Sequence, residues 1–406
     1  MHQELLYLRQ NIEVEPLFDH WYAWSYLIPP PTAARNMTER HFKIMDSYIN
    51  APQIHANAVK NPKLLGGPFM DYQGKRVKEI RELRDRTKAL RPHLLELSTA
   101  IAGLDEILRS QARGYSLQPL YASVPEPLAG YVELSYDLNN QPSFRLIEPL
   151  LYRSRYYDRS AQSLMVSVLK GDDRPFVLST PRLEDESLYH LRIPFDDGRV
   201  DELFRLKSQP KLWGEICALF EVPQASEPLF RSFFTTEAPP PYQRYCGNGV
   251  RWRYFGHACI LLETPTTSIL FDPVLSYTYD SSISRYTYLD LPDTIDYVAI
   301  THNHQDHILF ETLLQIRHKV KNIIVPSPSR GALQDPSLKL IFENIGFRNV
   351  TEMNELETVN WEGGSLTALP FLGEHADLGV HSKAAYLVQV GRRKLLFAAD
   401  SCNIEP

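Results

Sequence analysis

Apolar and polar positions along the chain fall into two textures that meet near residue 240. Across residues 75–109, Val77, Ile80, Leu83, Leu90, Leu94, Leu97, Ile101, Leu104 and Leu108 recur in steps of three and four. That is the period of one helical face, and it predicts amphipathic helix interrupted near Pro92. Around residues 131–151, Val132, Leu134, Tyr136 and Leu138 alternate with Glu133, Ser135 and Asp137. Asn139-Asn140 then turns the chain into Phe144, Leu146 and Leu150, which predicts a hairpin. Further strands are expected at residues 164–169 and 188–193, and a helix at 200–220. The first 74 residues, aromatic and broken by Pro29-Pro30-Pro31, read as short helices and loops docked on a larger body.

The run Thr236-Glu237-Ala238-Pro239-Pro240-Pro241 is a stiff spacer that cannot join a core. It divides an α+β N-terminal domain, residues 1–240, from a second domain, residues 241–406. Beyond it, residues 250–263 read as paired strands. Residues 268–271 form another, ending in Asp272-Pro273, and residues 297–300 a short apolar one.

Composition narrows the function classes. With 406 residues, 43% hydrophobic and 23% charged, the chain is globular, has room for two or three units, and is neither disordered nor a coiled coil. Its net charge of −6 offers no basic excess for phosphates, so no nucleic acid is expected. Met1-His2-Gln3-Glu4 lacks a signal-peptide pattern and no apolar run is bilayer-length, so no membrane partner and a cytoplasmic location are expected. Cys217, Cys246, Cys259 and Cys402 are too irregularly spaced for a CxxC metal pair or a disulfide framework. Arg76, Lys78, Arg81, Arg84, Lys88 and Arg91 make one face of the predicted helix basic. Because Glu79, Glu82 and Asp85 interleave them, this is first a solvated face and second a docking surface for an acidic partner.

The chemistry concentrates after the short apolar strand, in Thr301-His302-Asn303-His304-Gln305-Asp306-His307. Residues two apart on an extended loop project to one side, so His302 and His304 can bind one metal ion while Asp306 and His307, past the bend, face a second. A histidine-rich surface loop is the bland alternative. Isolated histidines (His20, His41, His55, His93, His190 and His318) are read as structural. For His257, in Tyr254-Phe255-Gly256-His257-Ala258, a strand-end histidine bonded to backbone is favoured over a cleft residue.

The H-x-H-x-D-H pattern after a short strand resembles the signature of the metallo-β-lactamase fold, an αβ/βα sandwich. Asp272 matches that family's strand-end aspartate, which orients the ligand loop. Pro370-Phe371-Leu372-Gly373-Glu374-His375 sits where the family places its next ligand. Lys394-Leu395-Leu396-Phe397-Ala398-Ala399-Asp400 matches the strand ending in the carboxylate that bridges both metals. Glu374 and His375 remain alternatives: a histidine there suits zinc and hydrolysis, whereas Glu374 gives a carboxylate-rich set suited to iron.

A closer resemblance rests on Trp21-Tyr22-Ala23-Trp24, Leu64-Leu65-Gly66-Gly67-Pro68-Phe69 and Gly373-Glu374-His375. With these the chain looks like the diiron β-hydroxylases of nonribosomal peptide pathways, typified in chloramphenicol biosynthesis. The resemblance implies two iron ions, with His302, His304 and Glu374 on one, Asp306 and His307 on the other, and Asp400 bridging; Glu374 and Asp400 are then the catalytic carboxylates. It further implies dioxygen, an external electron donor, an aminoacyl-loaded carrier domain as partner and substrate, and a possible homodimer. Such enzymes take one more histidine ligand well beyond the bridging aspartate. The sequence stops at Pro406, so a partial sandwich, truncated and inactive by itself, is the expectation. The alternative function is a zinc-dependent hydrolase of the same fold, with two zinc ions and His375 as ligand, acting on an ester, lactone, thioester or phosphodiester.

Overall fold

The computed structural model describes residues 4–137, 139–169, 171, 173–373 and 380–402. Its N-terminal region contributes strands β1 (Leu5–Leu8), β2 (Ile12–Phe18), β3 (Trp21–Tyr22), β4 (Val132–Tyr136), β5 (Pro142–Leu146), β6 (Gln162–Val168), β7 (Tyr189–Leu191), β8 (Lys211–Leu212) and β9 (Phe234–Thr235). The central pairing is antiparallel, β2 against β6 from Ile12 opposite Val168 to Phe18 opposite Gln162, in a sheet of order β3-β2-β6-β7. The same region holds helices Pro30–Asn36, Phe42–Asn50, Pro52–Ala58, Val77–Leu90 and Pro92–Gln111, and Ala33, Ile44, Ile80 and Leu97 from four of them share one core with Ile12, Val14 and Leu164 of the sheet.

Three expectations change here. The first 74 residues hold β1 to β3 as well as helices. All seven residues of β2 are buried, Glu13 and Glu15 included, because Arg174 and Arg182 pair with those carboxylates. The helix expected across 200–220 is split into Gly198–Arg205 and Trp213–Leu219. Pro210 has no N–H to continue a helix and biases its neighbour to extended backbone, so the chain pairs β8 with β1 instead.

Arg91 is the third change. It separates the helices Val77–Leu90 and Pro92–Gln111 as expected, but it is buried rather than on the basic face. Its guanidinium grips Asp19 (Nε–Oδ2 3.0 Å, Nη2–Oδ1 2.9 Å) and reaches Asp158 and Ser160 through Nη1, at 2.6 and 2.8 Å.

The C-terminal region adds a six-stranded sheet in the order β10 (Arg251–Gly256), β11 (Cys259–Glu263), β12 (Ser268–Phe271), β13 (Ile295–Ala299), β14 (Val320–Pro326) and β15 (Val350–Met353). Strands β12 to β15 are parallel, and as parallel strands do they bury both faces. One face packs on a four-stranded antiparallel sheet, β16 (Thr358–Trp361), β17 (Gly364–Leu369), β18 (Ala385–Val390) and β19 (Arg393–Phe397), through Leu262, Phe271 and Ile324 against Leu366, Tyr386 and Val388. Against the other lie helices Phe310–Ile316 and Leu338–Asn344, whose Phe310, Leu313 and Phe342 join one core with Leu6, Phe204 and Phe234.

Residues 236–250 carry no helix or strand, yet that core runs across them. Arg317, at the end of helix Phe310–Ile316, reinforces the union: it donates to the Asp197 and Phe195 carbonyls and to Asp201 Oδ1 at 2.8 Å. The fold is thus an α+β N-terminal part joined to a part of a metallo-β-lactamase-type sandwich. No helix among the described residues is long and apolar enough to cross a membrane.

Candidate metal centre

Parallel strands deliver their loops to one end of the sheet, and β12 and β13 end side by side in Asp272 and in Thr301-His302. Asp272 is fully buried. Its Oδ1 accepts the Thr301 N–H (2.7 Å); its Oδ2 accepts the Thr301 hydroxyl (2.6 Å) and faces His307 Nδ1 at 2.8 Å. A carboxylate only accepts, so it holds the His307 proton on Nδ1. Thr301, having donated its hydroxyl proton, accepts from His302 Nδ1 at 3.0 Å. Both rings therefore present the Nε2 lone pair forward, which is the state a metal ligand needs.

Those two Nε2 atoms converge on one carboxylate oxygen. Asp400 Oδ2 lies 3.4 Å from His307 Nε2 and 3.8 Å from His302 Nε2, and the two rings are 4.0 Å apart. Burial disfavours the charged form of His307, but the hydrogen bond and charge of Asp272, with Asp306 and Asp400 near, outweigh it and raise its pKa. Burial raises that of Asp272, opposed by His307 and Thr301.

His304 sits beside His302 with ring centroids 4.7 Å apart, and its carbonyl caps the turn by accepting from His307 and Ile308 N–H. Asp306 stands at the rim. Glu374 and His375 lie outside the described residues. The stretch leading to them is anchored at the centre: Phe371 packs 5.4 Å from the His302 ring, and Leu372 exchanges hydrogen bonds with Ser401 and Cys402. Gly373 (φ +92°) is needed there, since a Cβ would lie 2.8 Å from that of Cys402.

The structure adds His257, which the sequence reading favoured as a backbone-bonded residue. Its Nε2 lies 3.1 Å from Asp306 Oδ2 and 3.2 Å from His307 Nε2. Among the described residues, His302, His307 and Asp400 form one group able to hold a metal, and His257, Asp306 and His307 another. The only sequence signal was a glycine-histidine pair at a strand turn. A cavity of about 600 Å³ opens beside both groups, lined by Trp252, Ile260, Phe397 and Asp400 among others.

Away from this centre, tyrosines and the isolated histidines make structural contacts. Tyr277 donates to Glu311 Oε1 at 2.5 Å and Tyr288 meets His318 at 3.1 Å. His41 stacks on Trp21, and His55 accepts the Met70 N–H. Glu311, one turn beyond the metal loop, also takes the Tyr22 hydroxyl at 2.7 Å and Arg174 at 3.0 Å, tying that loop to the N-terminal region.

Comparison with known proteins places the chain in a family. Residues 7–239 match the model of the diiron non-heme β-hydroxylase N-terminal domain, and residues 267–406 that of the β-lactamase superfamily domain. A curated relative from Streptomyces venezuelae, 4-amino-L-phenylalanyl-[CmlP-peptidyl-carrier-protein] 3-hydroxylase, is 40% identical over 98% of this chain and 76% of its own. The chain belongs to the diiron β-hydroxylase family. The crystal structure of CmlA, a diiron β-hydroxylase from the same organism, superposes with a TM-score of 0.90 and 39% identity, covering 99% of this chain and 76% of that one. A diiron β-hydroxylase is an oxidoreductase, so membership favours the hydroxylase over the zinc hydrolase. The donor set fits: imidazole nitrogens with their protons held on the far side, around carboxylate oxygens that suit iron.

Proposed function

We propose that this chain, holding two iron ions, uses dioxygen and electrons from an external donor to hydroxylate, in the cytoplasm, the β-carbon of an aminoacyl group. That group is carried as a thioester on a carrier domain of a nonribosomal peptide synthetase. The name of the Streptomyces venezuelae relative, a hydroxylase of an aminoacyl peptidyl carrier protein, supports this substrate class. His302, His304 and Glu374 would hold one ion, Asp306 and His307 the other, with Asp400 between them. When bound, the irons supply the oxygen-activating redox chemistry.

The observation that carries the reading is the Asp400 carboxylate facing two imidazole nitrogens at once. The chain's own share follows from its contacts. Asp272 and Thr301 hold the ring tautomers, the buried His302 and His307 exclude water from one side, and the cavity beside Asp400 gives a flexible arm room to enter. Lys78, Arg81 and Lys88, exposed on helix Val77–Leu90, would dock an acidic face of the carrier.

The test is the purified full chain with ferrous iron, a chemical reductant, dioxygen and an aminoacyl-loaded carrier. One added oxygen on the β-carbon, dependent on reductant and dioxygen, is expected. Two zinc ions with oxygen-independent thioester hydrolysis would overturn the reading. If Lys78→Glu with Arg81→Glu leaves carrier affinity unchanged, that helix is not the docking face.

A further inference from the structure

His257 occupies the turn between β10 and β11, where the strand register slips after Tyr254. Gly256 there takes φ +123° and His257 itself φ +49°. A non-glycine residue in the left-handed region is sterically disfavoured, and such outliers persist where the surroundings over-determine them. The geometry turns the imidazole away from its own strands and over the metal loop, with its ring centroid 4.7 Å from that of His307. The side chain is still 42% exposed, so burial of apolar surface does not explain the placement.

Proton bookkeeping defines what His257 does. His307 Nδ1 keeps its proton for Asp272, so His307 Nε2 accepts. Asp306 Oδ2 accepts as well. His257 Nε2 lies within 3.2 Å of both acceptors, so it carries a proton and donates. A metal ion on the His307 lone pair removes one of those acceptors and leaves Asp306 as the recipient among the described residues. We infer that His257 is a positioning residue of the metal centre: its Nε2–H holds one carboxylate oxygen of Asp306, so that the other oxygen faces the ion shared with His307. Carboxylate ligands held this way by outer partners are a recurrent device of metal sites. The inference rests on the two-metal reading above and adds a donor to it from a different strand turn.

The test measures metal binding to the full chain in ferrous-iron and zinc arms, with iron content and Mössbauer spectra as readouts besides turnover. Wild type, His257→Ala and His257→Gln are compared. Gln places an amide N–H near the position of the imidazole Nε2. The expected result is an unchanged first metal in all three, a second metal weakened about 10-fold or more in the Ala variant, and restoration by Gln with the wild-type quadrupole pattern. Equal affinities and spectra in the Ala variant would overturn the inference. So would loss of the second metal in both variants alike, which would make His257 a direct ligand. Binding of two zinc ions in preference to iron by wild type would instead strike the iron reading, while the zinc arm still decides the role of His257.

Discussion

Replacing Asp272 by Asn keeps size and shape and should still cripple the metal centre. Asp272 Oδ1 accepts a backbone N–H from Thr301, and Oδ2 accepts from Thr301 Oγ1 and His307 Nδ1. In the variant the carbonyl oxygen must stay on the Thr301 N–H, because a second N–H there would repel it. The amide NH2 then faces His307 Nδ1, and two donors cannot share that contact. His307 relieves the clash by moving its proton to Nε2, where it occupies the direction in which a metal ion must approach. Losing such an outer partner costs about 10–100-fold in metal affinity, which is about 1.4–2.7 kcal/mol. Folding should suffer less, since the buried charge of Asp272 is removed together with its contacts. The assay is a competitive chelator titration of the full chain, with a thermal melt of the apoprotein as control. An Asp272→Asn protein that binds two metals with wild-type affinity would refute the tautomer argument.

Three further outcomes follow from the fold. Arg91→Ala leaves Asp19 buried without its guanidinium, at a cost of about 3–5 kcal/mol; with about 2.1 cal/mol/K of unfolding entropy per residue over 406 residues, melting should fall by about 4–6 °C, and an unchanged melt would contradict the buried-pair account. Among the described residues, Glu13, Glu15 and Glu311 share the guanidiniums of Arg174 and Arg182, and burial followed by the charge of Glu15 pushes Glu13 up to about 7. A carboxyl raised in the folded state binds more protons there than in the unfolded chain, so stability falls as pH rises from about 4.5 through 7; Glu13→Gln should remove at most about 3 kcal/mol of that fall, and parallel melting curves of both proteins between pH 5 and 8 would show Glu13 ionised throughout. Gly331→Ala sets a Cβ 2.3 Å from the Leu146 carbonyl oxygen at φ +83°, breaking the tie between the N-terminal hairpin and the C-terminal region, and about 2–4 kcal/mol should be lost in urea unfolding.

Much of the chemistry was legible because it is local. The H-x-H-x-D-H loop announces itself by residue type and spacing, as do the paired helices around Pro92 and the hairpin at Asn139-Asn140, while Asp272 and Asp400 were placed by the family resemblance. Strand β2 was not legible. Its two glutamates look like a solvated face until Arg174 and Arg182, some 160 positions away, arrive to neutralise them. Arg91 misled for the same reason, since its helical spacing matched its basic neighbours and only the distant Asp19 and Asp158 decide that it is buried.

By itself, then, the sequence determined which candidate ligand types occur and in what order, while the fold class and the orienting role of Asp272 came from the family resemblance those residues carry. Tertiary structure alone decided which atoms meet. His302 and His307 share Asp400 because β13 and β19 belong to sheets packed face to face, and His257 joins Asp306 because a strained strand turn swings its ring across the loop. Distance in space between residues far apart in sequence is set by how sheets stack and where register slips, and no local pattern encodes either.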